Sequence, residues 1–116
     1  MNSFPSDECV LVVCNVPDAE TAERIAETLV SERLAACVNI LAPCRSVYRW
    51  QGAVERADEV PLLIKTRRDA YAKLEARLLA LHPYEVPEIV AWPLAQGLPA
   101  YLTWVSQSVL SSGTGA

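Results

Sequence analysis

The residues with the clearest capacity for chemistry are one histidine and one cysteine. His82 is the only histidine of the chain and lies in the segment LHPYEVPEIVAW, residues 81 to 92. Cys14 lies near the end of a short apolar run that is typical of a buried strand. Imidazole and thiolate together suit copper or zinc. If the strand after His82 pairs with the strand of Cys14, the two residues approach the same region.

A second interpretation of His82 needs no metal. Pro83 pushes the residue before it out of helical geometry, so His82 is expected to end the preceding helix. A histidine in the last turn also interacts favourably with the free carbonyl groups of a helix. The two interpretations are compatible, and the residue types alone leave both open.

Other chemistries have little support in the sequence. Cysteine catalysis needs a base beside the thiol, and no recognisable signature surrounds any of the four cysteines. The chain has four glycines and neither a G-x-G-x-x-G nor a Walker-type loop, which argues against nucleotide-dependent chemistry. The cysteines lack a C-x-x-C spacing, so we expect free thiols. We therefore expect a protein that is not an enzyme.

The first half of the chain predicts a strand, a helix and a long hairpin. The run CVLVVCNV ends at Pro17, and Asp18 is placed to cap a helix whose apolar residues repeat at helical spacing. The run CVNILAPCRSVYRW indicates a second strand, interrupted at Pro43 and located at a sheet edge. Gly52 then supplies the tight turn into the returning arm AVERADEVPLLIKT.

The second half repeats the alternation of helix and strand. A helix is predicted from about Arg67 to Leu81, a short strand in EVPEIVAWPL, and a third helix in PAYLTWVSQSVL. The order β-α-β-β-α-β with an added helix is the ferredoxin-like split arrangement. The sequence therefore predicts an α+β fold: a four-stranded antiparallel sheet with a long β2-β3 hairpin and two helices on one face, plus a C-terminal helix.

Composition limits the number of domains that the chain can form and the classes of partner that it can bind. A chain of 116 residues suits one domain, which we place at residues 9–110 between a flexible N-terminus, 1–8, and a disordered tail, 111–116. Hydrophobic residues make up 52%, which predicts apolar surface covered by another chain. The net charge of −4 argues against nucleic acid. No apolar run spans a bilayer and no leader precedes the domain, so we expect a cytoplasmic protein without membrane contact.

Five separated segments resemble one known family. They are ERLAACVNI, SVYRWQG, EVPLLIKT, HPYEVPEI and YLTWV. In this order and spacing they closely resemble the CutA divalent-cation tolerance family, over roughly residues 9 to 110. The resemblance implies a ferredoxin-like protomer in a tight homotrimer, similar in general shape to the PII signalling proteins.

The resemblance also implies a function and its residues. The family is linked to tolerance of copper and other divalent cations, and its proposed copper ligands fall here on Cys14 and His82. Some members carry a second histidine where this chain has Leu81, so we expect weak copper binding and a part in the response to metal ions. The alternative is a PII-like signalling or scaffold module that binds a small ligand or a protein partner between subunits. The implied inter-subunit cleft is formed by Tyr48, Trp50, Glu59, Lys65, Tyr84, Glu88, Tyr101 and Trp104.

Overall fold

A computed structural model describes residues 9–110, so the expectations for residues 1–8 and 111–116 lie outside the described part. The strands are β1 (Cys9–Val16), β2 (Cys37–Ile40), β3 (Cys44–Trp50), β4 (Ala53–Arg67) and β5 (Ile89–Pro93). The helices are α1 (Ala19–Ser31), α2 (Tyr71–Leu81) and α3 (Pro99–Ser108). The predicted mixed α+β architecture with three helices is confirmed.

The sheet is antiparallel throughout, with the strand order β2-β4-β1-β5. The predicted second strand is two strands, β2 and β3, separated by residues 41–43, because Pro43 cannot donate a ladder hydrogen bond. Both pair with β4, whose 15 residues are long enough to serve two partners. The turn of the β3-β4 hairpin uses positive φ angles at Gln51 (50°) and Gly52 (84°), as the predicted tight turn requires.

The core lies between the sheet and the helices α1 and α2. Alternate residues of β1, among them Val12, Cys14 and Val16, point to the helices and are fully buried. They meet apolar side chains spaced along each helix, such as Leu29 and Leu78. Asp18 caps α1 by accepting a hydrogen bond from the backbone N–H of Thr21 at 2.8 Å, as its position before the helix predicts.

The face of the sheet that points away from α1 and α2 is covered less completely. Helix α3 packs over one end of it, where Cys9 and Val105 belong to a second, smaller apolar cluster. Further along, Val90 and Trp92 on β5 are 42% and 53% exposed. Within residues 9–110, no helix combines the length and apolar character needed to cross a membrane.

Candidate functional site

His82 ends α2 and joins two other segments through its ring. Its backbone N–H donates to the carbonyl of Leu78 at 2.9 Å, which closes the last helical turn. The backbone N–H of Tyr84 donates to Nδ1 at 3.1 Å, so Nδ1 is an acceptor and carries no proton. Nε2 then carries the proton and donates to the carbonyl oxygen of Asn15 at 2.7 Å. Both ring nitrogens are therefore engaged in holding the backbone.

Cys14 is a core residue at the same place. Its side chain is 0% exposed, and its Sγ lies 3.9 Å from the carbonyl oxygen of Asn15, the acceptor that His82 also uses. Burial raises the pKa of the Cys14 thiol to about 12, and the negative charges of Glu88 and Glu59 act in the same direction. The thiol therefore stays protonated at neutral pH.

The structure brings Cys14 and His82 together, but as hydrogen-bond donors to one carbonyl group. Strong copper binding by these residues requires a deprotonated thiolate and a ring nitrogen that is free of hydrogen bonds. In the described part of the chain, no group of three or more His, Cys, Asp or Glu residues is arranged to hold a metal ion. In this arrangement the pair does not fit a copper centre.

A cleft of about 730 Å³ opens beside these residues, between the β3-β4 hairpin and the segment that follows His82. Its size is ordinary for a site that binds a small molecule. Five of the eight residues expected in an inter-subunit cleft line it: Tyr48, Trp50, Glu59, Tyr84 and Glu88. The remaining lining residues are Ser46, Val47, Glu85, Val86 and Pro87.

The local sequence explains why these side chains meet. Tyr48 and Trp50 are two residues apart on β3 and share one face of the hairpin. Glu59 lies on β4 at the base of the hairpin, opposite Cys44. The hydroxyl of Tyr84 donates to Glu59 Oε2 at 2.9 Å, which fastens the loop after α2 to β4. Burial, and then this bond to a carboxylate, raise the pKa of Tyr84.

The other three expected cleft residues lie elsewhere in the protomer. Lys65 is six positions from Glu59 on β4, which places the two about 20 Å apart, and its ammonium group donates to Asn39. Tyr101 and Trp104 form a ring pair with centroids 5.6 Å apart on α3. Burial, and then the neighbouring Cys37, raise the pKa of Tyr101. One protomer thus presents the expected residues in two separate groups.

Glu85 and Asn15 are among the contributors to the site that were not expected from the sequence. Glu85 lines the cleft, and its place within the HPYEVPEI segment was the available signal. Asn15 accepts from His82 through its carbonyl and donates through Nδ2 to Glu88 Oε1 at 3.1 Å. Because Asn15 accepts the bond from His82 through its backbone carbonyl, its residue type gave no indication of this role.

The fold and the site define a class: an α+β protein whose long hairpin covers a cleft of carboxylates and aromatic rings. Comparison with known families shows that residues 10–108 match the CutA1 divalent ion tolerance protein family. The chain belongs to this family, as the five motifs predict.

Individual relatives agree with this assignment. The divalent-cation tolerance protein CutA of Thermus thermophilus is 52% identical over 98 residues, which cover 84% of this chain and 95% of the relative. The solved structure of the Thermus thermophilus protein matches with a TM-score of 0.86 at 50% identity, covering 88% of this chain and 99% of that one. CutA of Xylella fastidiosa matches with a TM-score of 0.86 at 45% identity, over 89% and 99% of the two chains.

Proposed function

We propose that this protein takes part in tolerance of divalent cations as a homotrimeric module that binds a ligand in its cleft, and not as a metal carrier or an enzyme. The observation that carries the proposal is the contrast between two sites. The cleft lined by Trp50, Glu59 and Tyr84 is open to a ligand. Cys14 and His82, in contrast, hold the backbone of Asn15.

The two separate groups of cleft residues support the homotrimer. Glu59 and Lys65 cannot share a site within one subunit, because about 20 Å of strand separates them. They can share one if the Lys65 end of one subunit closes the Glu59 cleft of the next. The exposed Trp92 on the less covered sheet face fits burial against another copy. A monomer in light scattering at micromolar concentration would contradict this assembly.

Each subunit in this proposal is one ferredoxin-like domain formed by residues 9–110, and the trimer resembles PII signalling proteins in acting through its clefts. We place the protein in the cytoplasm. Within residues 9–110 no disulfide joins any of the four cysteines, Cys9, Cys14, Cys37 and Cys44, as suits a reducing compartment.

Weak copper binding by Cys14 and His82 is the second candidate function. What favours it is that both side chains reach the same carbonyl oxygen, as their predicted proximity required. Copper binding there needs a thiolate in place of a thiol whose pKa is raised to about 12. It also needs the His82 ring to release one of its two hydrogen bonds. Both requirements predict low affinity.

Calorimetric titration with copper separates the two candidates. We expect the same copper affinity in the wild type and in Cys14→Ala, because the Cys14 thiol stays protonated and a protonated thiol is a poor copper ligand. Cys9→Ala is the matched control, since Cys9 is also buried on β1 but lies away from His82. A loss of about tenfold or more in Cys14→Ala, with none in Cys9→Ala, would favour the copper site.

A further inference from the structure

The segment of residues 83–88, which follows His82, forms half of the cleft wall. Five of the ten residues that line the cleft belong to it: Tyr84, Glu85, Val86, Pro87 and Glu88. The segment is neither helix nor strand, and within residues 9–110 it forms no backbone–backbone hydrogen bond. Its two prolines lack a backbone N–H altogether. The path of the segment along the cleft therefore depends on contacts with side chains.

Hydrogen bonds attach this segment to its surroundings at both ends. Near its start, the backbone N–H of Tyr84 donates to Nδ1 of His82 at 3.1 Å, and the Tyr84 hydroxyl donates to Glu59 Oε2 at 2.9 Å. At its end, Glu88 Oε1 accepts from Nδ2 of Asn15 at 3.1 Å. The bonds that fix the segment therefore also fix two carboxylates of the cleft, those of Glu59 and Glu88.

The His82 ring connects the two ends of the segment. Its Nδ1 accepts from Tyr84, and its Nε2 donates at 2.7 Å to the carbonyl of Asn15, the residue whose side chain holds Glu88. The ring also packs against the Tyr84 ring, with centroids 4.7 Å apart. A neutral imidazole offers an acceptor and a donor on one rigid ring, so a single side chain fixes both neighbours.

All of these bonds lie within one subunit, so they do not depend on how the cleft is closed in the proposed trimer. If the Lys65 end of another subunit reaches Glu59, it meets a carboxylate whose orientation Tyr84 has already set. Tyr84 is itself placed by His82. His82 therefore acts on the cleft indirectly, through Tyr84 on one side and through Asn15 on the other.

We propose that His82 is a positioning residue of the cleft, which places Tyr84, and hence Glu59, through its Nδ1 acceptor and places Glu88 through Asn15. This inference rests on the proposed function, because it assigns a role in the same cleft. It gives the histidine a function that requires no metal ion. Loss of the acceptor is expected to release the Tyr84 hydroxyl from Glu59, so that segment 83–88 no longer shapes the cleft.

Carbon NMR of protein labelled at the tyrosine Cζ atoms tests this positioning, because the shift of Cζ depends on the hydrogen bond of the hydroxyl. Tyr84→Phe assigns the Tyr84 signal, and Glu59→Ala gives its position when the acceptor is lost. We expect the signal to move toward that position in His82→Ala. In His82→Asn it should stay near the wild-type position, because the asparagine Oδ1 is attached where the imidazole has Nδ1 and can accept the Tyr84 N–H.

Two features of the design separate positioning from a general loss of stability. Both His82 variants lack the imidazole ring and its bond to Asn15, so they differ in the acceptor for Tyr84. Val12→Ala is the matched control: Val12 is 0% exposed, and its truncation opens a cavity in the core without removing any of these bonds. The Tyr84 signal should not move in Val12→Ala.

Growth on copper-containing medium, at equal expression, gives the functional readout: His82→Asn should restore tolerance and His82→Ala should not. Equal Tyr84 signals in the two His82 variants would overturn the inference. Equal growth of the two variants, when Trp50→Ala fails to grow, would also overturn it, because the cleft would then work without this positioning. Restored tolerance with Trp50→Ala would instead contradict the proposed function, and the Tyr84 signals would still decide the inference by themselves.

Discussion

His82→Ala is expected to lower the free energy of unfolding by about 2 kcal/mol or more. The substitution leaves the backbone N–H of Tyr84 without the acceptor that the ring supplies at 3.1 Å, and it leaves the carbonyl of Asn15 with only the long contact from the Cys14 thiol in place of the ring's bond at 2.7 Å. His82 is only 7% exposed, so water replaces these bonds incompletely, and each unsatisfied buried group costs about 1–3 kcal/mol. Urea unfolding at one fixed protein concentration measures the difference, because the proposed subunit association would also contribute to stability.

Leu79→Ala is the control for this experiment. Leu79 lies on the same helix but is 54% exposed, so its loss should change stability by less than about 0.5 kcal/mol. If His82→Ala proved no more destabilising than Leu79→Ala, the ring would not be holding the loop. His82 would then be available for another role, including metal binding.

The second large effect concerns Cys14 and alkaline pH. Its pKa is about 12 in the folded protein, against 9.0 for the unperturbed thiol. Above pH 9 the unfolded chain releases this proton while the folded protein keeps it, so the unfolded state is favoured as pH rises. The stability contribution of the neutral thiol is complete below pH 9 and is lost between about pH 9 and 12, by about 1.4 kcal/mol per pH unit.

Cys14→Ala isolates this effect from other groups that titrate in the same range. The variant loses some packing at every pH, but it lacks the ionisable thiol. Urea unfolding at pH 8 and pH 10.5 should therefore show a steeper fall in stability for the wild type than for Cys14→Ala. Parallel falls would mean that the thiol ionises normally in the folded protein, and a thiolate ligand at this position would become plausible.

The secondary structure was predictable because its signals are local. The helical spacing before Leu81, the proline after His82 and the glycine at the hairpin turn each act within a few residues. The interruption of the second strand at Pro43 was visible in the sequence. The formation of two separate strands, β2 and β3, was not. Whether β3 continues along β4 depends on the length of β4, which is a property of the pairing.

The candidate site was harder to predict, because its decisive contacts join distant residues. The bond from Tyr84 to Glu59 spans 25 positions, and the bond from His82 to Asn15 spans 67 and ends on a backbone oxygen. Residue types alone made Cys14 and His82 suitable for copper. Their burial and hydrogen bonds, which depend on the fold, favour a structural role.

The separation of Glu59 from Lys65 within one subunit follows from strand geometry. A strand advances about 3.3 Å per residue, so Glu59 and Lys65 must lie at different ends of one subunit once β4 is recognised as a strand. Glu59 and Lys65 can therefore line one cleft only if subunits assemble as proposed. The acidic character of the cleft emerged only when Glu85 and Glu88 were placed beside Glu59.

Growth on copper-containing medium tests most directly whether the cleft is the functional site. The host is a cell that lacks its own relative of this protein, and each variant is expressed to the same level. We expect the wild type, Cys14→Ala and Val54→Ala to restore tolerance, and Trp50→Ala to fail; Val54 is exposed on the same hairpin but points away from the cleft. Restored tolerance with Trp50→Ala together with failure of Cys14→Ala would contradict the account.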